Sequence, residues 1–192
     1  YAEIKALATG NPYIREKMDL DIQVSKLKLM KANHTSQKYR LETDIAKNYP
    51  VQIAAQKEQI AGLRADREAV KPILEEKEKD NFSMMIGGKT YTDRKEAGTA
   101  ILAACAGLKA VKSNGQIGEF HGFSLNASYD SFYQTYKLTI KRQCSYQIEI
   151  GKDVLGNLQR ISNALTGIEK RLTEAEQKME NLLSQLATAQ EE

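Results

Sequence analysis

The sequence predicts an α+β protein in which a long antiparallel helical coiled-coil hairpin carries a small inserted α+β module. Three observations predict it. A heptad-like apolar seam runs through the C-terminal end, a broad helical apolar pattern fills the first 80 residues, and the period switches to two between them. The chain of 192 residues is thereby divided into an N-terminal coiled-coil arm, 1–80, an inserted module, 81–152, and a C-terminal coiled-coil arm, 153–192.

The seam is the strongest of the three signals. Steps of three and four give Leu158, Ile161, Leu165, Ile168, Leu172, Ala175, Met179, Leu182, Leu186 and Ala189, every one apolar. Glu169, Lys170, Arg171, Glu174, Glu176, Gln177, Lys178, Glu180 and Gln185 lie between them, helix-forming residues that keep the other face wet. An unbroken helix over this stretch would span ~48 Å, longer than a compact core can cover, so its partner must be another long helix. The N-terminal arm is that partner, and a homodimer through the coiled coil is the other pairing the stripe allows.

In the N-terminal arm, Thr9-Gly10-Asn11-Pro12 punctuates the chain, with Asn11 as helix cap and Pro12 in the first turn. The following helix, to about Lys47, carries Met18, Leu20, Ile22, Val24, Leu27, Leu29, Met30, Tyr39, Leu41, Ile45 and Ala46. That distribution is broader than one seam and fits contact with more than one neighbour. Pro50 interrupts it, yet the phase of Met18, Ile22, Leu29, Ala32, Tyr39 and Ala46 continues to Ile53 and Ile60. One long helix with a kink near Pro50 is therefore expected in preference to a fold-back turn. Gly62 and Pro72 are weak points before the helix ends near Lys79, costing about 1 and about 3 kcal/mol respectively in a helix interior. An antiparallel return would set Leu158 near Leu74, Ile168 near Leu63 and Met179 near Ile53.

The module reads strand-strand-helix-strand-strand-strand. Phe82, Met84 and Ile86 alternate up to Gly87-Gly88, and Lys89-Thr90-Tyr91 follows, a hairpin on a glycine turn. Asp93 with Glu96 has the form of a capping box for a helix whose apolar face is Ala97, Ile101, Ala104, Cys105 and Leu108. After the loop Lys112-Ser113-Asn114-Gly115, strands are expected at Gly118–Leu125, Tyr133–Lys141 and Ser145–Ile150. In the second, Tyr136, Leu138 and Ile140 alternate with Lys137, Thr139 and Lys141, one face buried and one basic.

Catalytic chemistry finds little support. Gly88-Lys89-Thr90 resembles the end of a phosphate loop, but Ser83 stands where the first glycine is required and a strand follows where a helix should. His34 and His121 are the two histidines, neither with a second ligand at helical or strand spacing, so no metal site is expected. Cys105 and Cys144 are isolated and read as reduced thiols of a cytoplasmic protein. Asp130-Ser131, between Tyr129 and Phe132, reads as a structured turn. No acid-base pair or nucleophile emerges, so the chain is expected to be no enzyme and to need no cofactor. There is no apolar run of membrane-spanning length, and no signal peptide is expected at the start. Tyr1 in place of methionine is read as a sign that the sequence is a piece of a longer protein.

Charge is the remaining signal. The chain has 28 Lys and Arg against 25 Asp and Glu, a net charge of +3. Residues 26–47 hold six basic residues against two acidic, and the module nine against five. Such patches can meet nucleic-acid phosphates, although charge on exposed helices usually serves solvation. If the module touches DNA, Lys89, Arg94, Lys95, Lys137, Lys141 and Arg142 are the expected contacts. Lys137 and Lys141 should share a face, ~14 Å apart at ~3.4 Å per residue. Tyr129, Phe132, Tyr133 and Tyr136 are expected to pack in the core, with stacking on bases as the alternative.

Several blocks carry a resemblance. Tyr1-Ala2-Glu3-Ile4-Lys5-Ala6-Leu7-Ala8-Thr9-Gly10-Asn11-Pro12, Ile14-Arg15-Glu16-Lys17, Leu27, Ala32-Asn33-His34 and Tyr39-Arg40-Leu41-Glu42 form the first. Gly87-Gly88-Lys89-Thr90-Tyr91-Thr92-Asp93-Arg94-Lys95-Glu96-Ala97-Gly98, Gly118-Glu119-Phe120-His121-Gly122-Phe123 and Gly156-Asn157-Leu158-Gln159-Arg160-Ile161-Ser162-Asn163-Ala164-Leu165 follow. Together they resemble the region after the helicase core in large adenine-specific DNA methylase/helicase proteins of bacterial mobile elements. The resemblance implies an accessory region whose parent methylates adenine and moves on DNA. It brings no catalytic residues with it, because the methylase Asn/Asp-Pro-Pro-Tyr and helicase ATP motifs are absent from this sequence.

Two functions follow from these readings. One is an arm that presents a basic module to DNA, and the other is a structural spacer or protein-interaction arm that binds the rest of its parent chain without DNA. Either depends on the seam. Leu172→Asp places an unpaired charge there at a cost of several kcal/mol, so helical circular dichroism and the melting temperature should both fall.

Overall fold

The computed structural model describes residues 4–5, 10–78, 81–111 and 113–191. Thr9, Lys79 and Lys112, which the sequence reading placed at element boundaries, lie outside them. The architecture is α+β. Helix α1 spans Pro12–Thr43, a π-helical stretch spans Asp44–Asn48, and α2 spans Tyr49–Glu78. Strands β1 (Met84–Ile86) and β2 (Lys89–Tyr91), helix α3 (Arg94–Ala110), strands β3 (Gly115–Phe120), β4 (Phe123–Asp130), β5 (Thr135–Lys141) and β6 (Ser145–Ile150), and helices α4 (Val154–Thr166) and α5 (Ile168–Glu191) complete it. The chain forms two compact units, one of residues 1–52 with 183–192 and one of residues 53–182.

In the first unit, Asn11 caps α1 through its side-chain oxygen, which accepts from the Tyr13 N–H at 3.0 Å, and Pro12 opens the helix. The backbone stays helical through Pro50, with no fold-back turn. Pro50 has no N–H for the carbonyl of Ala46, and its ring crowds that carbonyl. The turn before it is widened into the π-helix, in which the Tyr49 N–H reaches back five residues to the Asp44 carbonyl. No residue of α1 is buried.

The second unit is built on one antiparallel sheet of six strands in the order β2-β1-β3-β4-β5-β6. Its inner face is Met84, Ile86, Phe120, Phe123, Leu125, Ala127, Leu138, Ile140, Tyr146 and Ile150, covered by Ile60, Leu63 and Val70 of α2, by Ala97, Ile101 and Cys105 of α3, and by Leu158, Ile161 and Leu165 of α4. Ile168, Leu172 and Ala175 of α5 belong to the same core. Module and helices therefore share one hydrophobic interior. The outer face is polar: Ser124, Asn126, Ser128 and Asp130 of β4 stand beside Lys141, Thr139, Lys137 and Thr135 of β5.

Two expectations need correction. The stretch Gly118–Leu125 is two strands, because His121 (φ 49°) and Gly122 (φ 81°) turn the chain back and pair Phe120 with Phe123. Two successive residues at positive φ make the tight hairpin turn that matches strand twist, and histidine is among the few side chains that tolerate it. The sheet thus has six strands where five were expected. The seam helix, read as continuous from Leu158 to Ala189, is divided at Gly167, whose N–H closes α4 onto the Asn163 carbonyl (2.9 Å) before α5 begins. Pro72, by contrast, is accommodated within α2. Gly62 is a site of close approach: a Cβ there would lie 2.9 Å from the Cys144 Sγ.

The helices of the second unit meet in an order that runs oppositely along α2 and along α4–α5. The Gln56 side chain donates to the Ala175 carbonyl (2.8 Å), Arg67 pairs with Glu169 (3.5 Å), and Leu74 lines one cavity with Leu158. Arg64 pairs with Glu176 at 2.7 Å. Two polar clamps fix the sheet to these helices. Asp66 of α2 is fully buried; its Oδ1 accepts from the Gln143 N–H (3.0 Å) and Arg142 Nη1 (3.3 Å), and its Oδ2 from the Cys144 N–H (2.8 Å) and the Tyr146 hydroxyl (2.8 Å). Asn157 of α4, equally buried, accepts from the Gly151 N–H and donates to the Gly151 carbonyl, both at 2.8 Å. At the outer strand, Arg171 donates to the Ser145 carbonyl (3.0 Å) and Arg160 to that of Glu149 (3.4 Å).

Asp66→Ala would leave two part-buried backbone donors and a buried phenol without their acceptor. We expect it to lower the unfolding free energy by ~3–5 kcal/mol, and Tyr146→Phe, which removes one bond, by ~1–2 kcal/mol, both read from urea denaturation.

Candidate functional site

The residues nominated for DNA contact are dispersed over the second unit. Lys137 and Lys141 share the outer sheet face with Thr139 between them. Lys89 pairs with Ile86 at the far edge and so stands on the opposite face, its Nζ 5.0 Å from the Tyr91 ring centre. Arg94 and Lys95 belong to the first turn of α3, where the Asp93 carboxylate caps the helix by accepting from the Glu96 N–H at 2.8 Å. The Arg94 guanidinium lies over Phe82, 5.4 Å from the ring centre. Arg142 sits in the β5–β6 turn and donates to Asp66 and to the Ala65 carbonyl (3.2 Å). Arg94 and Lys95 share a helical turn, and on the sheet the structure brings together one pair, Lys137 with Lys141.

That pair does not make a basic surface. Lys137 Nζ is 2.9 Å from Asp130 Oδ2, and in register Lys137 stands directly opposite Glu149 of β6. Glu119 of β3 lies on the same face, opposite Ser124. Two lysines thus face three carboxylates. The Lys137 ammonium beside it lowers the Asp130 pKa below its usual 3.8, helped by the Tyr133 N–H, and Asp130 in turn raises that of Lys137.

The structured turn expected at Asp130-Ser131 is the tip of the β4–β5 hairpin. Asp130 Oδ1 accepts from the N–H groups of Phe132 (3.0 Å) and Tyr133 (3.1 Å), and Gln134 at φ 54° returns the chain to β5. Phe132 and Tyr133 were expected in the core. They are instead 83% and 67% exposed, packed edge to face at 4.8 Å between ring centres. Tyr129 and Tyr136 do pack inward as a half-buried pair at 5.1 Å, with Lys109 over the Tyr129 ring. The signal was available: an Asp followed by four residues before an alternating strand is a turn that must be solvated, whatever its aromatic content.

The seam residues Leu158, Ile161, Leu165, Ile168, Leu172 and Leu182 are buried, and Met179 and Leu186 are half-buried. In the first unit, Ala189 and Gln190 line a groove with His34, Leu41 and Ile45. Between α2, α4 and the sheet of the second unit is a cavity of about 40 Å³ lined by Val70, Leu74, Phe82, Phe120, Leu158 and Ile161 among others. Small-molecule sites have several hundred Å³, so this cavity suits a few waters. Among the described residues no three His, Cys, Asp or Glu side chains converge to hold a metal ion, and no helix is long and apolar enough to cross a membrane. Burial pushes the Cys105 thiol up to about 11, and burial together with Asp66 raises that of Cys144, so both stay protonated at neutral pH.

Comparison with protein-family models, with curated proteins and with solved structures finds no match to this chain.

The lowered pKa of Asp130 sets a pH dependence. Its stabilising effect is fully present above the unfolded value of 3.8 and is lost as pH falls through the lower folded value. We expect the amide signals of Phe132 and Tyr133 to lose dispersion in that acid window, and Asp130→Asn to abolish the transition at the hairpin tip.

Proposed function

We propose that this chain is a non-catalytic protein-interaction and spacer arm: a coiled-coil hairpin, formed by α2 with α4 and α5, that holds the α+β module. Within the parent kind that its sequence resembles, a bacterial cytoplasmic DNA methylase/helicase, the arm would sit behind the helicase core and bind other parts of that protein. The observation that carries this reading is the engagement of the candidate DNA contacts. Lys137 is paired with Asp130 and faced by Glu149, and Arg142 is bound to Asp66. Phosphate binding needs cations on one continuous surface, free to release counterions. The oppositely running helix contacts support the hairpin, and the exposed Phe132–Tyr133 tip supports protein contact, since aromatic side chains anchor such interfaces.

DNA binding by the 192-residue chain, measured at about 50 and about 200 mM salt, tests the reading. We expect no salt-dependent affinity, and no change on replacing Lys137 and Lys141 together by alanine. Affinity for unrelated duplexes with a salt slope that drops by ~2 in the double variant would establish the DNA-presenting arm in its place.

A further inference from the structure

Helix α1 has no buried residue, although Ile22 is 51% and Leu29 63% exposed and the helix carries seven apolar side chains between positions 18 and 30. We propose that α1 is a self-association surface, on which two copies of this chain cross antiparallel about a two-fold axis between Gln23 and Val24. This does not depend on the spacer reading.

The charges carry the inference. Glu16, Asp19 and Asp21 precede that axis, and Lys26, Lys28 and Lys31 follow it at mirror positions. An isologous contact sets residue i against the residue equally far beyond the axis in the second copy, so each acid meets the basic half of the other helix. The seam for this contact is Met18, Ile22, Ser25 and Leu29, alternating by four and three without a charged residue, and at its end Ala32 meets Arg15 of the second copy. Met18 then lies opposite Leu29 of the second copy, and Ile22 opposite its Ser25. A shallow groove already marks this line, bounded by Asp21, Ile22, Ser25, Lys26 and Leu29. Asp19 and Lys26 flank the seam on one side, Asp21 and Lys28 on the other. In antiparallel helices, like-sided flanking positions face each other, which gives Asp19–Lys26 and Asp21–Lys28, each twice by symmetry.

Other arrangements fit worse. Parallel helices would pair only Asp21 with Lys26 and leave Asp19 and Lys28 without counter-charges. The second apolar strip, Leu20, Val24 and Leu27, runs into Lys17 and Lys31 within one turn at either end. It therefore lies outside this contact.

Sedimentation equilibrium of the 192-residue chain at low salt tests the proposal through a charge-swap cycle. The wild type should dimerise, and Asp21→Lys or Lys28→Asp alone should weaken dimerisation about tenfold, by turning two attractive pairs into repulsive ones. The double variant Asp21→Lys/Lys28→Asp should restore it, since the antiparallel pair is merely inverted. Ile22→Asp should leave a monomer. These positions are exposed, and unchanged helical circular dichroism checks that each variant folds. A monomeric wild type, a dimer indifferent to the single swaps, or a double variant no better than Asp21→Lys would each overturn the proposal, the last by pointing to parallel helices.

Discussion

The second unit depends on a single buried carboxylate. Asp66 projects from the middle of α2 into the turn between β5 and β6 and takes hydrogen bonds from two backbone N–H groups, a phenol and a guanidinium. A charge in that position is tolerable only if every donor arrives together. The turn cannot open without stranding the acid, and α2 cannot rotate without stranding the donors. Gly62, one turn earlier, lets the Cys144 sulfur approach the helix backbone, so one face of α2 is shaped to receive that turn. Burial and the bond to Asp66 also raise the Tyr146 pKa well above the usual tyrosine value, which keeps the hydroxyl a donor. Asn157 does at the start of α4 what Asp66 does on α2, with an uncharged amide matched to both backbone groups of Gly151. The module is for this reason a layer of the helical body, and its Arg142 is bound to α2.

Where a physical rule acts on neighbouring residues, the sequence revealed the structure. Asn11-Pro12 and Asp93-Glu96 opened helices, Gly87-Gly88 closed a hairpin, and the alternation from Tyr136 to Lys141 separated inner from outer sheet faces. The α+β class and the order of helices around the module were legible on the same grounds. The His121-Gly122 turn was hidden because Phe120 and Phe123 on either side sustain an apolar rhythm that reads as one strand. Gly167 was hidden because Leu165 and Ile168 keep the seam in step while the helix changes. Phe132 and Tyr133 were misplaced because their aromatic character points to a core, although the Asp beside them marks a turn and takes their backbone N–H groups. Asp66 could not be read at all: a lone acid in a charged helix has no local signature, and its partners lie more than 75 residues away.

The same distinction governs the candidate sites. Charge counting found where lysines are concentrated, but not which carboxylates fold against them. Lys137 and Asp130 are seven residues apart in sequence and 2.9 Å apart in space, across a hairpin whose register the sequence left open. Two aromatic side chains taken for core, Phe132 and Tyr133, stand exposed at a hairpin tip, while Lys137 and Arg142, taken for surface, are paired with carboxylates.

Finally, the two helical arginines that reach β6 bear on how this open sheet survives in a crowded solution. An outer strand offers alternate carbonyls to any other extended chain, and six residues of β6 would be an ample template for intermolecular pairing. Arg171 and Arg160 already occupy the Ser145 and Glu149 carbonyls, four residues apart on the same side of the strand. β2, at the opposite margin, is only three residues long and begins at a lysine. A positive charge therefore guards each margin of the sheet, and the protein can keep an unclosed six-stranded sheet without inviting its own copies to extend it into a fibre.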